Sequence, residues 1–160
     1  MAYSNNINAG TATVTISDNV GGNYEVIGSA TFTIDKANPT YTAPTTKSDL
    51  VYDGSVQTLL NAGSTSDGTI QYSSDGSDWS TTIPSQTNAN IYTSYWKLVG
   101  DSNHNDVASA SINTTIAKVT PTVAAPTAKA LTYNGSAQEL VNAGSTNWGT
   151  LQYRASSDSW

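Results

Sequence analysis

The stretch LVYDGSVQTLLNAGSTSDGTIQY, residues 50–72, returns almost unchanged as LTYNGSAQELVNAGSTNWGTLQY, residues 131–153. The two stretches align without a gap at an offset of 81 residues, and the same offset joins Trp79 to Trp160. Self-similarity at a fixed period is the sequence signature of a repeat architecture. The chain therefore contains the front part of one structural unit twice.

The repeat extends on both sides of this stretch. The lead-in IDKANPTYTAPT, residues 34–45, matches IAKVTPTVAAPT, residues 116–127, at an offset of 82, so one residue is lost before the Tyr-Asp-Gly or Tyr-Asn-Gly turn. Residues 8–37 loosely parallel residues 88–119, because both run from Asn-Ala through a strand-like segment and a polar turn to Ile-x-Lys. One full repeat is thus about 80 residues long.

These boundaries predict three segments. Residues 1–36 form the back half of a repeat, residues 37–118 form a complete repeat, and residues 119–160 form the front half of another. Either half alone would expose apolar faces and unpaired strand edges. We therefore expect residues 119–160 to be completed by residues 1–36 of the same chain or of a neighbouring chain, unless both belong to a longer array.

Strand signals dominate the chain. Segments such as TATVTI, ATFTI, IYTSYWKLV and SINTTI are rich in β-branched and aromatic residues and largely alternate in polarity. Between them lie YDGS, SDGT, GDSNHND and YNGS, in which Gly, Asn and Asp favour tight turns. The sequence predicts an all-β fold of tandem β-sandwich repeats of about 80 residues, each able to fold alone.

The motifs VYDGSVQ, LTYNGSAQ, NAGTATVTI, ATFTIDKA and VGDSNHND, taken in order, resemble the YDG/MBG-type Ig-like repeats that occur in tandem in bacterial surface proteins and adhesins. The resemblance covers nearly the whole chain. It implies Ig-like sandwiches in a secreted, surface-anchored or stalk-forming protein, with no catalysis in these repeats. It supplies no ligand-binding residues to carry over.

Composition argues against several classes of partner. Charged residues make up only 11% of the chain, against about 25% in an average globular protein. The net charge of −6 is opposite to what binding nucleic acid or an anionic membrane surface requires. No run of apolar residues is long enough to span a bilayer. The absence of cysteine excludes disulfides and thiol chemistry.

We expect a non-catalytic structural and interaction protein, an extracellular spacer or adhesin stalk on the bacterial cell surface that assembles head to tail by strand complementation. The start, MAYSNNINAG, lacks the basic and apolar regions of a signal peptide, which keeps a phage virion decoration or fibre protein open as an alternative. A carbohydrate-binding module is a second alternative. The expected partners are other copies or neighbouring repeats, and a host-surface protein or glycan; no cofactor is expected.

The turn GDSNHND, residues 100–106, brings several oxygen-bearing side chains together, as calcium loops do. However, such loops carry Gly at the sixth position and Glu at the twelfth, and neither is present here. We expect a hairpin turn closed by Asx side chains, and a calcium site is the weaker alternative. The candidate ligands are Asp101, Asn103, Asn105 and Asp106.

Catalytic groups are scarce. His104 is the only histidine and lies in the same polar turn, where we expect it to be exposed. A catalytic histidine needs a nucleophile and an orienting group, and the sequence offers no such set. Glu25 and Glu139 are the only glutamates and fall in unrelated phases of the repeat. We therefore expect no enzyme and no catalytic residue.

The tryptophans suggest packing roles and one contact site. Trp79 and Trp160 are equivalent in the repeat, which favours a shared structural role, and Trp96 lies mid-strand, where we expect partial burial. Trp148 replaces Asp67 and places an indole in a turn. An exposed indole there could stack on a sugar or anchor a protein contact, with local packing as the alternative.

Lysine crosslinks are a further question in Ig-like surface domains. An isopeptide bond needs a buried lysine, an Asx partner and a nearby carboxylate. Lys36, Lys97 and Lys118 are the conceivable donors, but glutamate is nearly absent and buried charges are rare. We therefore do not expect such a bond.

Overall fold

The computed structural model describes residues 2–18 and 20–154. This part of the chain contains strands and no helix, so the prediction of an all-β fold is confirmed. The strands are β1 Ala2–Ser4, β2 Gly10–Ser17, β3 Ile27–Ile34, β4 Tyr41–Thr42, β5 Thr45–Thr46, β6 Gln57–Thr58, β7 Leu60–Asn61, β8 Ser64–Thr65, β9 Gly68–Ser73, β10 Ser85–Gln86, β11 Asn90–Gly100, β12 Val107–Ile116, β13 Val123–Ala124, β14 Thr127–Ala128, β15 Val141–Asn142 and β16 Ser145–Thr146.

The chain divides into two compact units, Met1–Lys118 and Val119–Trp160, which we call unit 1 and unit 2. The boundary at Val119 follows the complete repeat, whereas residues 1–36 lie within unit 1 together with residues 37–118. The division into two half repeats and one complete repeat stays a prediction.

Unit 1 begins with a three-stranded antiparallel sheet in the order β1-β2-β3. Successive side chains of a strand point to opposite faces, so the apolar residues of β2 and of β3, apart from Ile27, share a single face. In the register of this hairpin, Ala12 lies opposite Phe32 and Gly10 lies opposite Ile34. Strand β1 pairs with β2 along Thr13–Thr15.

The rest of unit 1 is organised around a second antiparallel sheet in the order β12-β11-β9. Its central strand places Tyr92 opposite Thr114 and Asn90 opposite Ile116 on one side. On the other side, Trp96 lies opposite Tyr72. Two-residue pairs complete this part of the unit: β4 with β8, β5 with β7 and β6 with β10.

The core of unit 1 lies between this sheet and the segment that carries the short strands. Every second residue of β9, β11 and β12 faces inward, where it meets Leu59 and Leu60, each only 2% exposed. The buried cluster comprises Leu59, Leu60, Ile70, Tyr72, Trp96, Leu98 and Ile116. Trp96, for which the sequence predicted partial burial, is buried and packs at an angle on the ring of Tyr41.

Backbone hydrogen bonds join the end of β12 to the front part of the same fold. The amide of Tyr52 donates to the carbonyl of Ala117 at 2.9 Å, and the amide of Ala117 donates to the carbonyl of Leu50 at 2.8 Å. Residues 37–118 thus close on themselves through residues that lie more than 60 positions apart.

Unit 2 contains two short antiparallel pairs, β13 with β16 and β14 with β15. These pairs correspond to β4–β8 and β5–β7 of unit 1. Residues that precede the Asp-Gly turn have their counterparts 82 positions later, and residues that follow it have theirs 81 positions later. Side-chain contacts recur as well. The Tyr72 hydroxyl accepts from the Gly63 amide at 3.0 Å, and the Tyr153 hydroxyl accepts from the Gly144 amide at 2.8 Å.

Candidate interaction site

The turn between β11 and β12 lies at the base of the N-terminal hairpin and binds it. The amide of Ala9 donates to Oδ1 of Asn103 at 2.9 Å, and Nδ2 of Asn103 donates to Oδ1 of Asn8 at 3.2 Å. The amide of Ala37 donates to the carbonyl of Asn103 at 2.9 Å, and the amide of Asn105 donates to the carbonyl of Ala37 at 2.8 Å. We call this connection between residues 101–105 and residues 8, 9 and 36–38 the joint.

Two long side chains reinforce the joint. Nζ of Lys36 donates to the carbonyls of Asp101 and His104 at 3.0 and 3.2 Å. Nδ2 of Asn105 donates to the carbonyl of Lys36 at 3.3 Å and to Oδ1 of Asn38 at 3.0 Å. The Lys36 ammonium group is therefore hydrogen-bonded to two backbone carbonyls of the turn between β11 and β12.

The calcium candidates of this turn are engaged in turn and joint contacts. Asp101 Oδ1 accepts from the amide of Asn103, and Asp106 Oδ1 accepts from the amide of Gly100, each at 2.8 Å. The side chains of Asn103 and Asn105 face the hairpin and its connection. Among the described residues, no group of three or more His, Cys, Asp or Glu side chains is arranged to hold a metal ion. The Asx side chains close the turn and secure the joint.

His104 is half-buried in the joint, so the expectation of an exposed histidine was wrong. Its Nδ1 lies 2.7 Å from Oδ1 of Asp101, and its Nε2 lies 3.9 Å from Oδ2 of Asp67. The amide of Thr40 donates to Asp67 and lowers the pKa of that carboxyl, with further lowering from the Ser66 hydroxyl. The Asn103 amide, followed by His104, lowers the pKa of Asp101.

A second feature of unit 1 is the apolar side of its N-terminal hairpin. Phe32 and Ile16 are each 45% exposed. Thr and Ser occupy the alternate positions of both strands. We call this side the apolar face; Ala12 on this side is fully buried, and the residues that present surface are Val14 and Ile16 on β2 and Ala30, Phe32 and Ile34 on β3.

Unit 2 presents an open cavity of about 450 Å³ between its short strands and Tyr153. We call it the groove; its lining residues are Lys129, Glu139, Leu140, Val141, Asn142, Ala143 and Tyr153. Lys129 Nζ and Glu139 Oε2 form an ion pair of 2.6 Å at its rim. The hydrogen bond from Lys129 lowers the pKa of Glu139, and the opposite charge adds to that effect.

The large apolar residues that line the groove have buried counterparts in unit 1, namely Leu59, Leu60 and Tyr72. Leu140 is 70% exposed, whereas Leu59, which precedes it by 81 positions, is 2% exposed. Tyr153 is 50% exposed, whereas its counterpart Tyr72 is 4% exposed. The same apolar side chains are therefore core residues in unit 1 and surface residues in unit 2.

Trp148 lies in a turn of unit 2 and is 39% exposed. Its counterpart Asp67 accepts the amide of Thr40 at 2.8 Å. In unit 2 the neighbouring Asn147 takes over this role, because its Oδ1 accepts the amide of Thr122 at 2.8 Å. The tryptophan can therefore replace the aspartate without leaving that backbone amide unsatisfied.

The remaining lysines and tryptophans have local partners. Nζ of Lys97 lies 4.4 Å from the ring centroid of Trp79, in a cation–π contact. Lys36 binds carbonyls of the joint, and Lys118 is exposed. None of these described contacts joins a lysine to an Asx side chain. Trp160 lies outside the described residues.

The structural role of the joint was not recognised in the sequence. The signal was the concentration of Asn and Asp in residues 101–106, which the sequence assigned to turn closure alone. Their partners at residues 8 and 9 are more than 90 positions away, so no local pattern identifies them.

Comparison with known proteins gave no match to a family model, to a curated protein or to a solved structure. In the described part of the chain there is also no helix of the length and apolar character needed to cross a bilayer.

Proposed function

We propose that this chain is a non-catalytic structural protein, a spacer built from tandem Ig-like β-sandwich repeats. Two observations support the proposal: the sequence repeats at offsets of 81 and 82, and the strand pairs of unit 2 match pairs of unit 1 at those offsets. The work of such a protein is to hold modules at a fixed spacing and to present their surfaces to partners.

The observation that carries the proposal is the joint. Consecutive modules joined by a flexible linker reorient freely, because linker residues keep their conformational entropy. Here the residues that follow the hairpin, Lys36 to Asn38, are bound by backbone and side-chain hydrogen bonds to the turn of the next module. A joint of this kind transmits orientation from one module to the next, as a spacer requires.

Under this proposal the protein works outside the cell, on a bacterial surface, as the resemblance to surface repeats implies. A place in a phage virion is the alternative, and it uses the same mechanical property. Cell fractionation and purified virions, each probed with an antibody to the chain, distinguish the two locations.

Nuclear magnetic relaxation of backbone amides tests the spacer directly. We expect β2–β3 and β11–β12 of the dilute full-length chain to report one rotational correlation time, because the joint holds both sheets as one body. The double variant Asn103→Ala/Asn105→Ala removes the asparagine side-chain bonds of the joint and should separate the two times.

The matched control is Asn113→Ala, which removes an exposed asparagine that accepts from Thr93 on the same sheet, away from the joint. It should leave the tumbling unchanged. Two independent correlation times in the unaltered chain would contradict the proposed spacer role.

Carbohydrate binding is the second candidate, favoured by the exposed indole of Trp148 in its turn. Aromatic rings bind sugars through their apolar faces. A glycan array should then give binding that Trp148→Ala abolishes and Trp148→Phe partly retains. Equal signals from the three proteins would exclude Trp148 as the sugar platform.

A further inference from the structure

We propose that the apolar face of one copy packs into the groove of a second copy, in the register that the complete repeat uses internally. This inference rests on the proposed function, because it treats the two units as parts of one repeat design. It adds the identity of the partner, another copy of this chain, and the residues that meet.

The complete repeat provides the template for this contact. Thr114 is 1% exposed, and its hydroxyl lies 3.0 Å from the hydroxyl of Thr46 and donates to the carbonyl of Leu59 at 2.9 Å. The offset of 82 that joins Ile34 to Ile116 places Phe32 at the position of Thr114. In the assembled pair, Phe32 therefore takes the position of Thr114 and points into the groove of the second copy.

The residues on the two sides of this contact differ from the template together. Thr46 corresponds to Ala128, and Thr114 corresponds to Phe32, so the hydrogen-bonded hydroxyl pair becomes a small and a large apolar residue. Removing only one hydroxyl would take the bond between the pair away from the other, whereas replacing both with apolar groups leaves no hydroxyl without that partner. The paired change is expected if Phe32 packs beside Ala128.

The strand edges match in the same register. In the template, Ala117 bonds to the backbone of Leu50 and Tyr52. The counterpart of Ala117 in the hairpin is Asp35, and the counterparts of the other two are Leu131 and Tyr133. In the assembled pair, the amide of Tyr133 donates to the carbonyl of Asp35, and the amide of Asp35 donates to the carbonyl of Leu131.

A second copy satisfies this geometry more simply than the same chain does. The hairpin is bound at the turn end of β12, whereas the chain leaves unit 1 at Lys118, beyond the other end of that strand. Ten residues of strand separate these ends by about 33 Å. A neighbouring copy can present its groove without spanning that distance, and repetition of such a head-to-tail contact produces a filament.

Sedimentation velocity of the full-length chain over a dilution series tests the contact. We expect species larger than the monomer that grow with concentration. Phe32→Asp on the apolar face and Leu140→Asp in the groove should each leave only monomer. Thr33→Asp, on the same strand but on the opposite face, is the matched control and should associate like the unaltered chain.

Mixing the two defective variants distinguishes head-to-tail contact from any symmetric one. Phe32→Asp keeps an intact groove, and Leu140→Asp keeps an intact apolar face, so an equal mixture should form dimers of twice the monomer mass and nothing larger. Recovery of association on mixing also shows that both variants remain folded. A mixture that stays monomeric, or monomer at every concentration of the unaltered chain, overturns the proposal.

The register has its own test, because the chain contains no cysteine. Val51 and Ala117 form a parallel bridge in the template, and their counterparts are Thr132 and Asp35. The variant Asp35→Cys/Thr132→Cys should oxidise to a ladder of covalent oligomers, because bridged positions lie within disulfide range. Asp35→Cys/Thr127→Cys is the out-of-register control, and equal ladders from both variants would exclude the proposed register.

Failure of this inference and failure of the spacer role give different results. A rigid joint in the relaxation measurement together with a monomeric chain leaves the spacer role standing and removes the second copy as partner. Head-to-tail assembly with an independently tumbling hairpin removes the rigid spacer instead.

Discussion

One position of the repeat requires glycine, because the Cβ atom of any other residue would collide with neighbouring backbone atoms. In the two copies of Asn-Ala-Gly at residues 61–63 and 142–144, the glycine approaches a backbone carbonyl of the preceding strand pair. A Cβ atom on Gly63 would lie 2.7 Å from the carbonyl oxygen of Thr42, and one on Gly144 would lie closer still to that of Ala124. The sequence shows that this motif is repeated, but the carbonyl that excludes a side chain comes from residues about 20 positions earlier.

Gly63→Ala should therefore lower the free energy of unfolding of unit 1 by about 1–3 kcal/mol, the usual cost of overpacking. Urea titration monitored by tryptophan fluorescence measures it. Gly28→Ala is the control, because a Cβ atom there meets nothing within 4 Å. Equal stability of the two variants would show that the close approach at Gly63 is not a constraint.

The hydroxyl pair of Thr46 and Thr114 permits a double-mutant cycle. Thr114→Val removes a bond to Thr46 and a bond to the carbonyl of Leu59, and we expect a loss of about 1–2 kcal/mol. The double variant Thr46→Ala/Thr114→Val should cost less than the sum of the single changes, because the bond between the two hydroxyls is lost in each single variant and is lost only once in the double variant. Additive losses in urea titrations would contradict a direct contact.

Among the elements, the long strands were readable from the sequence and the short ones were not. TATVTIS and SATFTI alternate strictly, and they form the eight-residue strands β2 and β3. The two-residue strands β4, β5, β7 and β8 are too short to carry a period, and their pairing depends on residues 14 to 24 positions apart. Sequence repetition nevertheless predicts that such pairs recur, because unit 2 contains the same residues at the same spacing.

The turn at the joint should make unit 1 sensitive to acid. Hydrogen bonds lower the pKa of Asp67 and of Asp101 below the ordinary value of 3.8. A carboxyl whose pKa is lowered by folding stabilises the folded state at pH values above its unfolded pKa, and this contribution disappears as the pH falls through the folded pKa.

We therefore expect the stability of unit 1 to decrease as the pH falls from about 5 to about 2. Urea titrations at stepped pH values measure the decrease. Asp101→Asn should make the pH dependence shallower, whereas Asp18→Asn, an exposed residue outside the joint, should leave it unchanged. A steeper dependence in Asp101→Asn would contradict the role assigned to that carboxylate.

For the whole molecule, the main result is that one set of residues has two environments. In unit 1 the apolar residues that follow the Asp-Gly turn are buried by β11 and β12. In unit 2 the equivalent residues line an open groove. The sequence predicted that residues 119–160 are the front half of a repeat, completed by residues 1–36 of the same chain or of a neighbouring chain. It could not provide the apolar face that fits the groove, since that depends on the register of β2 and β3.

The exchange of two equivalent backbone amides with deuterium tests the central claim most directly. The amide of Tyr52 is bonded to Ala117 within unit 1, so its protection should not depend on protein concentration. The amide of Tyr133 should exchange rapidly in dilute solution and become protected, by tenfold or more, as copies associate. Protection of Tyr133 that stays constant across the dilution series, whether high or low, would contradict completion of the groove by a second copy.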